Sequence, residues 1–211
     1  MKKRSIVFLT TLVVLLTGCE GSAKEKAVTI FEKAAKAEED FVKQQEPLKK
    51  LEKKEMEMYR EMMTAGKKDK NQWRMLKEKA EKNLKERKEK VLAEQETMKK
   101  AADEFSKINH LEKQIDDKNV RGQLDELIKT MTARYKEHQK IEKSYNEILE
   151  LNNKLYTTLG KEKTKLAEVE KQIAEINEEN EQLKAANNRF NELTKTVNRQ
   201  KNAFEKSIEV K

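Results

Sequence analysis

From Leu166 to Ile208 one side chain in every three or four follows a fixed rhythm. Leu166, Val169, Ile173, Ile176, Asn180, Leu183, Asn187, Phe190, Thr194, Val197, Lys201, Phe204 and Ile208 alternate steps of three and four without a slip. Side chains with that spacing return to the same side of an α-helix, so the segment is a heptad seam and needs other apolar stripes to cover it. A looser version of the same rhythm runs through most of the chain after residue 26, where only Pro47, Gly66, Gly122 and Gly160 interrupt it. No run of alternating β-branched residues signals a sheet. Charged residues make up 41% of the chain and aromatics 5%, values that fit either disorder or long exposed helices. The periodicity decides for helices. The expected fold is all-α: one domain over residues 27–211, an antiparallel up-and-down four-helix bundle of coiled-coil character.

Glycine tolerates the left-handed conformation that ends many helices, so Gly66, Gly122 and Gly160 are read as three turns between four helices. The first helix is expected from about Ala27 to Thr64, with a stripe of Ala27, Phe31, Ala34, Phe41, Leu48, Leu51, Met58 and Met62, and with a kink or break at Pro47. The second is expected from about Gln72 to Ile115, followed by a polar corner at Asp116–Asn119. The third carries Leu124, Leu127, Met131, Tyr135, Ile141, Tyr145, Ile148, Leu151 and Leu155 up to Gly160. That boundary is open, because Leu155, Leu159 and Leu166 also suit a continuous helix. Helices of roughly 40 residues are ~60 Å long and need solvated outer faces. Glu32–Lys36, Glu39–Lys43, Glu78–Lys82, Glu81–Lys85 and Glu86–Lys90 provide i,i+4 pairs for them. Asn180 and Asn187 stand in the seam, where they either fix register as buried polar residues or lie at a wet edge of the bundle.

The N-terminus has a different character. Lys2, Lys3 and Arg4 precede an apolar run, Ile6–Leu16, and then Leu16-Thr17-Gly18-Cys19. Basic, apolar, small is the layout of an export signal, and the apolar run is about half of the roughly 20 residues a spanning helix needs. Leu-Thr-Gly-Cys resembles the lipobox of bacterial lipoproteins. The resemblance implies cleavage between Gly18 and Cys19 and S-diacylglycerol on the Cys19 thiol; whether its new amino terminus takes a further acyl group, such as palmitate, is left open by the sequence. The alternative is an ordinary signal with an incidental cysteine. Residues 1–18 are then a cleaved signal peptide and residues 19–26 a lipidated N-terminus with a short tether. Two acyl chains anchor stably where one is marginal, so the expected location is the extracytoplasmic face of the cell membrane. Cys19 is the sole cysteine, so the folded part must hold together without disulfides.

A lipobox followed by about 190 residues of Lys/Glu-rich helix, opening Ala27-Val28-Thr29-Ile30-Phe31-Glu32-Lys33-Ala34, is similar to the cell-wall-binding lipoproteins of Gram-positive bacteria, the YkyA-like family. The likeness is one of length, layout and composition over the whole chain. It implies a four-helix up-and-down fold and a place in the envelope.

Catalytic and metal-binding patterns are lacking. A di-iron bundle needs Glu-x-x-His motifs, but Lys107 and Tyr135 stand three residues before His110 and His138. There is no His-x-x-x-His pair for zinc, no Gly-x-Ser-x-Gly elbow and no phosphate-binding glycine loop. Both histidines are therefore read as boundary or surface residues. Met56, Met58, Met62, Met63 and Met75 are read as core fillers in preference to a copper(I) site. No metal, cofactor or catalytic residue is assigned, and an enzyme is not expected. Removing residues 1–18 leaves 44 Lys+Arg against 39 Asp+Glu, a net charge of +5. Export and interspersed carboxylates argue against nucleic acid. Weak attraction to anionic wall polymers, peptidoglycan or teichoic acid, follows from charge. Lys82, Lys85, Arg87, Lys88 and Lys90, near Lys99 and Lys100, are the candidate polyanion-binding residues; the other reading is a solvated face balanced by Glu81, Glu86 and Glu89. The rival functional class is a helical scaffold that pairs with itself or with another envelope protein through its seam.

Overall fold

A computed structural model of the chain describes residues 22–65, 69–161 and 163–209. The expected signal segment, Gly18, Cys19 and the turn expected at Gly66 lie outside the described residues. Those that are described form five α-helices, α1 (Ala23–Ala37), α2 (Glu39–Ala65), α3 (Lys70–Ser106), α4 (Lys118–Leu159) and α5 (Leu166–Glu209), with a short 3₁₀ turn at Leu111–Gln114. No strand occurs among them. The all-α helical bundle read from the periodicity is the fold.

Local chemistry sets the helix starts. α1 begins four residues before the expected Ala27 because Ser22 and Glu25 form a capping box: the Glu25 amide donates to Ser22 Oγ at 3.4 Å, and the Ser22 amide to Glu25 Oε2 at 2.7 Å. Asp69 Oδ1 accepts from the amides of Asn71 and Gln72 at 3.1 and 2.9 Å and starts α3. Asp117 does the same for α4 through Asn119 and Val120, at 2.9 and 3.2 Å.

Three boundaries differ from expectation. The first long helix is interrupted at Glu38, and Pro47 is carried inside α2 without a break. Proline removes one intrahelical hydrogen bond, but Leu48 and Leu51 just beyond it are buried and hold the segment helical by packing. Gly122 stops nothing; it sits exposed in the second turn of α4, since Asp117 had already started that helix. α3 ends at Ser106, and residues 107–117 turn the corner with His110 in the left-handed region at φ 75°. Gly160 does end a helix, as the open boundary allowed: α4 stops at Leu159 and α5 starts at Leu166.

The chain packs as two compact units, each built from pieces of several helices. Among the described residues, the first holds those up to Asp40, with Glu96–Gln139 and those from Asn187 onwards; the second holds those of Phe41–Gln95 and Lys140–Ala186. In the first unit Phe31 meets Phe105 at 5.4 Å between ring centroids and Phe105 meets Tyr135 at 5.9 Å. Ala27, Ala34, Ala101, Leu124, Leu127 and Phe204 are wholly buried there. Arg134 pairs with Thr194 and His138 with Phe190, so α4 and α5 run antiparallel in this unit.

In the second unit Leu48, Met62, Leu76, Leu84, Val91, Ile148, Tyr156 and Leu183 form the apolar core. Asn83 pairs with Leu51 and Gln45 with Glu94, so α2 and α3 are antiparallel; Tyr145 pairs with Glu52 and Tyr156 with Glu55, so α4 runs parallel to α2.

The α5 seam faces inward within both units. Val169, Leu183, Phe190, Val197, Lys201 and Phe204 are buried, whereas Leu166 is 71% exposed. Asn180 takes the wet-edge alternative: it is exposed and donates to the Ile176 carbonyl of its own helix at 2.8 Å. Asn187 is half-buried.

Candidate functional site

The chemically distinctive residues of this fold are charges held inside it. In the first unit, Arg134 donates through Nη1 and Nη2 to Glu38 Oε1 and Oε2 at 2.7 and 2.6 Å, and through Nε to Thr194 Oγ1 at 2.8 Å. Tyr135 Oη donates to Glu38 Oε1 at 2.9 Å, and the guanidinium lies 4.5 Å from the Phe190 ring centroid. Burial alone would lower the affinity of Arg134 for its proton; the Glu38 carboxylate outweighs this and holds it above the ordinary value. Burial, reinforced by Glu38, pushes the Tyr135 hydroxyl up, so it remains a donor.

The second unit has a larger layer. Arg87 donates through Nη1 to Glu55 Oε2 and through Nε to Tyr145 Oη at 2.8 Å, with its guanidinium 5.0 Å from the Tyr145 ring centroid. Tyr145 Oη in turn donates to Glu52 Oε1 at 3.0 Å. Asn152 and Tyr156 donate to the other oxygen of Glu55 at 3.2 and 3.1 Å. Burial raises the Glu55 carboxyl above its ordinary value despite the opposing pull of Arg87. Glu94 forms a separate feature of the same unit. It is buried and accepts one hydrogen bond, from Gln45 Nε2 at 2.8 Å. Burial pushes it up to about 8, with Glu52 and Glu142 adding to the rise and Gln45 and Lys90 opposing it.

These arrangements hold ion pairs and protons. Among the described residues no group of three or more His, Cys, Asp or Glu could hold a metal ion, and no helix is long and apolar enough to cross a membrane.

The sequence-derived candidates separate. Lys82, Lys85 and Lys88 are exposed on α3, and Lys90 is half-buried with its amine 3.3 Å from Gln44 Oε1. Arg87 leaves that set: it points inward and is engaged by Glu55, because it stands between Leu84 and Val91 on the buried side of the helix. Lys99 and Lys100 are exposed, Lys100 pairing with Glu96 at 2.8 Å. Of the carboxylates expected to balance the face, Glu86 does so, 3.9 Å from Lys82, while Glu81 turns to Lys77 one turn earlier at 3.0 Å. His110 is exposed as expected, but His138 is buried and packs tilted against Phe190, with ring centroids 5.5 Å apart. Of the methionines, Met62 is in the core and Met58 packs on it, while Met56, Met63 and Met75 are exposed.

The sequence as a whole places the protein among known chains. Residues 22–207 match the profile of the family YkyA, described as "Putative cell-wall binding lipoprotein". The chain belongs to the YkyA family. It is similar to the uncharacterized lipoprotein YkyA of Bacillus subtilis (strain 168), 30% identical over 189 residues that cover 89% of this chain and 85% of the relative. Its fold resembles a crystal structure of a conserved protein of unknown function from Staphylococcus aureus, with a TM-score of 0.65 at 17% identity, covering 88% of this chain and 97% of that one. At that identity the likeness concerns the fold alone. The YkyA match spans both compact units.

Proposed function

We propose that this YkyA-family member is a lipoprotein held at the extracytoplasmic face of the cell membrane by an acylated Cys19, with a non-catalytic binding or structural role in the envelope. The family match over residues 22–207 is the observation that carries this reading, and the Leu16-Thr17-Gly18-Cys19 motif supports it. Its contact is an anionic wall polymer, peptidoglycan or teichoic acid. Support comes from the mature net charge of +5 and from the exposed lysines 82, 85 and 88 with Lys90 beside them. Such attraction is weak and sensitive to salt.

A scaffold that pairs through the heptad seam is the less favoured reading, since Val169, Leu183, Phe190, Val197 and Phe204 are already buried within the units. A partner would have to use another face or open the bundle.

The test is retention of the mature chain, carrying Cys19→Ser, on purified wall sacculi with and without teichoic acid. Retention at low salt that falls as salt rises is expected. No retention at low salt would overturn wall binding.

A further inference from the structure

Two connections meet at one end of the second unit. The Trp73 ring, near the start of α3, lies against Gly160 where α4 stops: a Cβ at Gly160 would stand 3.1 and 3.2 Å from Cη2 and Cζ3 of the indole. The turn that follows is fastened back, with Thr164 Oγ1 donating to the Thr158 carbonyl at 2.8 Å and Gln172 Nε2 to Thr158 Oγ1 at 3.0 Å. The start of α3 and the α4–α5 turn therefore form one surface.

Lys70, Arg74, Lys161, Lys163 and Lys165 are exposed on it. Over 69–77 and 161–168 the sequence carries six Lys or Arg against three carboxylates, Asp69, Glu162 and Glu168, a surplus of three positive charges. Asp69 caps α3 and Glu168 lies 3.5 Å from Lys161. Three apolar side chains are exposed at this level of the second unit: Met75 (56%) and Leu166 (71%) within these two segments, and Met63 (55%) on α2. The register that sets Gln45 against Glu94 puts Met63 level with Met75 on the antiparallel α2–α3 pair.

Cations alone would suit any polyanion. A polyol-phosphate or glycan polymer offers nothing to the exposed thioethers and Leu166, whereas a bilayer surface does. There, apolar side chains enter the boundary of the acyl chains while Lys and Arg remain among anionic head groups. We propose that this end of the second unit is a docking surface for an anionic phospholipid membrane, with the five cations on head-group phosphates and Met63, Met75 and Leu166 in the interface. It uses residues other than the α3 lysines of the wall-binding reading and stands independently of it.

Trp73 is the sole tryptophan of the chain and lies in this surface, so its emission reports on the site. The mature chain carrying Cys19→Ser is mixed with vesicles of phosphatidylglycerol and phosphatidylcholine, and with phosphatidylcholine alone. Sedimentation and Trp73 quenching by brominated acyl chains are read. Binding and quenching are expected with the anionic vesicles only. Lys161→Gln, Lys163→Gln and Lys165→Gln together should weaken partitioning by on the order of 100-fold. Leu166→Ser should weaken it roughly tenfold, and both variants should keep the parent helical circular dichroism. No binding to anionic vesicles would overturn the proposal. So would binding that leaves Trp73 unquenched, or that is indifferent to these substitutions. Retention on sacculi without vesicle binding would also overturn it while leaving the wall reading intact.

Discussion

Arg134 grips both carboxylate oxygens of Glu38, at 2.7 and 2.6 Å, at the residue where α1 gives way to α2. The planar guanidinium matches the carboxylate as a fork, and Thr194 and Tyr135 complete the set of hydrogen bonds. Removing one partner would strand the other charge out of water. Arg134→Met is therefore expected to cost about 3 kcal/mol or more in urea denaturation. Glu38→Met combined with Arg134→Met should recover much of that loss. A single-variant loss below about 1 kcal/mol, the range of exposed pairs, would show that the pair is not a structural tie.

Glu94 gives a pH dependence of definite sign. Its carboxyl is raised from the ordinary 4.5 to about 8, so between those values the folded chain keeps a proton that the unfolded chain releases. Its stabilising contribution is complete below about pH 4.5 and is lost as pH rises through about 8. Glu94→Gln keeps the neutral form and its acceptor for Gln45 at every pH. The variant should match the parent near pH 4 and exceed it by about 2–4 kcal/mol at pH 8. Urea melts from pH 4 to 9 measure this, and parallel curves for parent and variant would refute it.

Two glycines should respond in opposite ways to alanine. Nothing lies within 4 Å of a Cβ at Gly122, which sits inside α4. Gly122→Ala should therefore stabilise by about 0.5–1 kcal/mol through helix propensity. At Gly160 the same methyl meets the Trp73 ring at 3.1 Å. Gly160→Ala should displace the indole, change its fluorescence and lower stability by about 1 kcal/mol, the lower end of overpacking costs. Thermal melts with tryptophan emission check both; an unaltered Trp73 spectrum in Gly160→Ala would contradict the contact.

The helical class and the α5 seam could be read from sequence because each follows from local spacing. The stop at Gly160 coincides with a glycine but does not use its left-handed freedom; what the residue provides there is room for the Trp73 ring. The buried charges could not be read from sequence, although their positions carried a signal. Leu84, Arg87, Val91, Glu94 and Met98 continue the steps of three and four, as do Leu127, Met131, Arg134 and His138. Charge made Arg87 look like part of the solvated face, while its spacing assigned it to the core. Only the tertiary partners, Glu55 for Arg87 and Glu38 for Arg134, reconcile the two. The break at Glu38 was hidden for the same reason, since neither proline nor glycine marks it and its side chain is drawn to a residue 96 positions later. Capping signals were legible, as Ser22-x-x-Glu25, but weaker than the glycine pattern that pointed wrongly to Gly122.

Acylation at Cys19 bears most directly on what this protein does, because a role in the envelope depends on its being held there. Mass spectrometry of the N-terminal peptide from membrane-extracted protein tests it. A peptide beginning at Cys19 and carrying a diacylglyceryl group is expected, with Cys19→Ala releasing the chain from the membrane or leaving the signal uncleaved. An unmodified Cys19, or a mature terminus at another residue, would contradict the lipoprotein assignment.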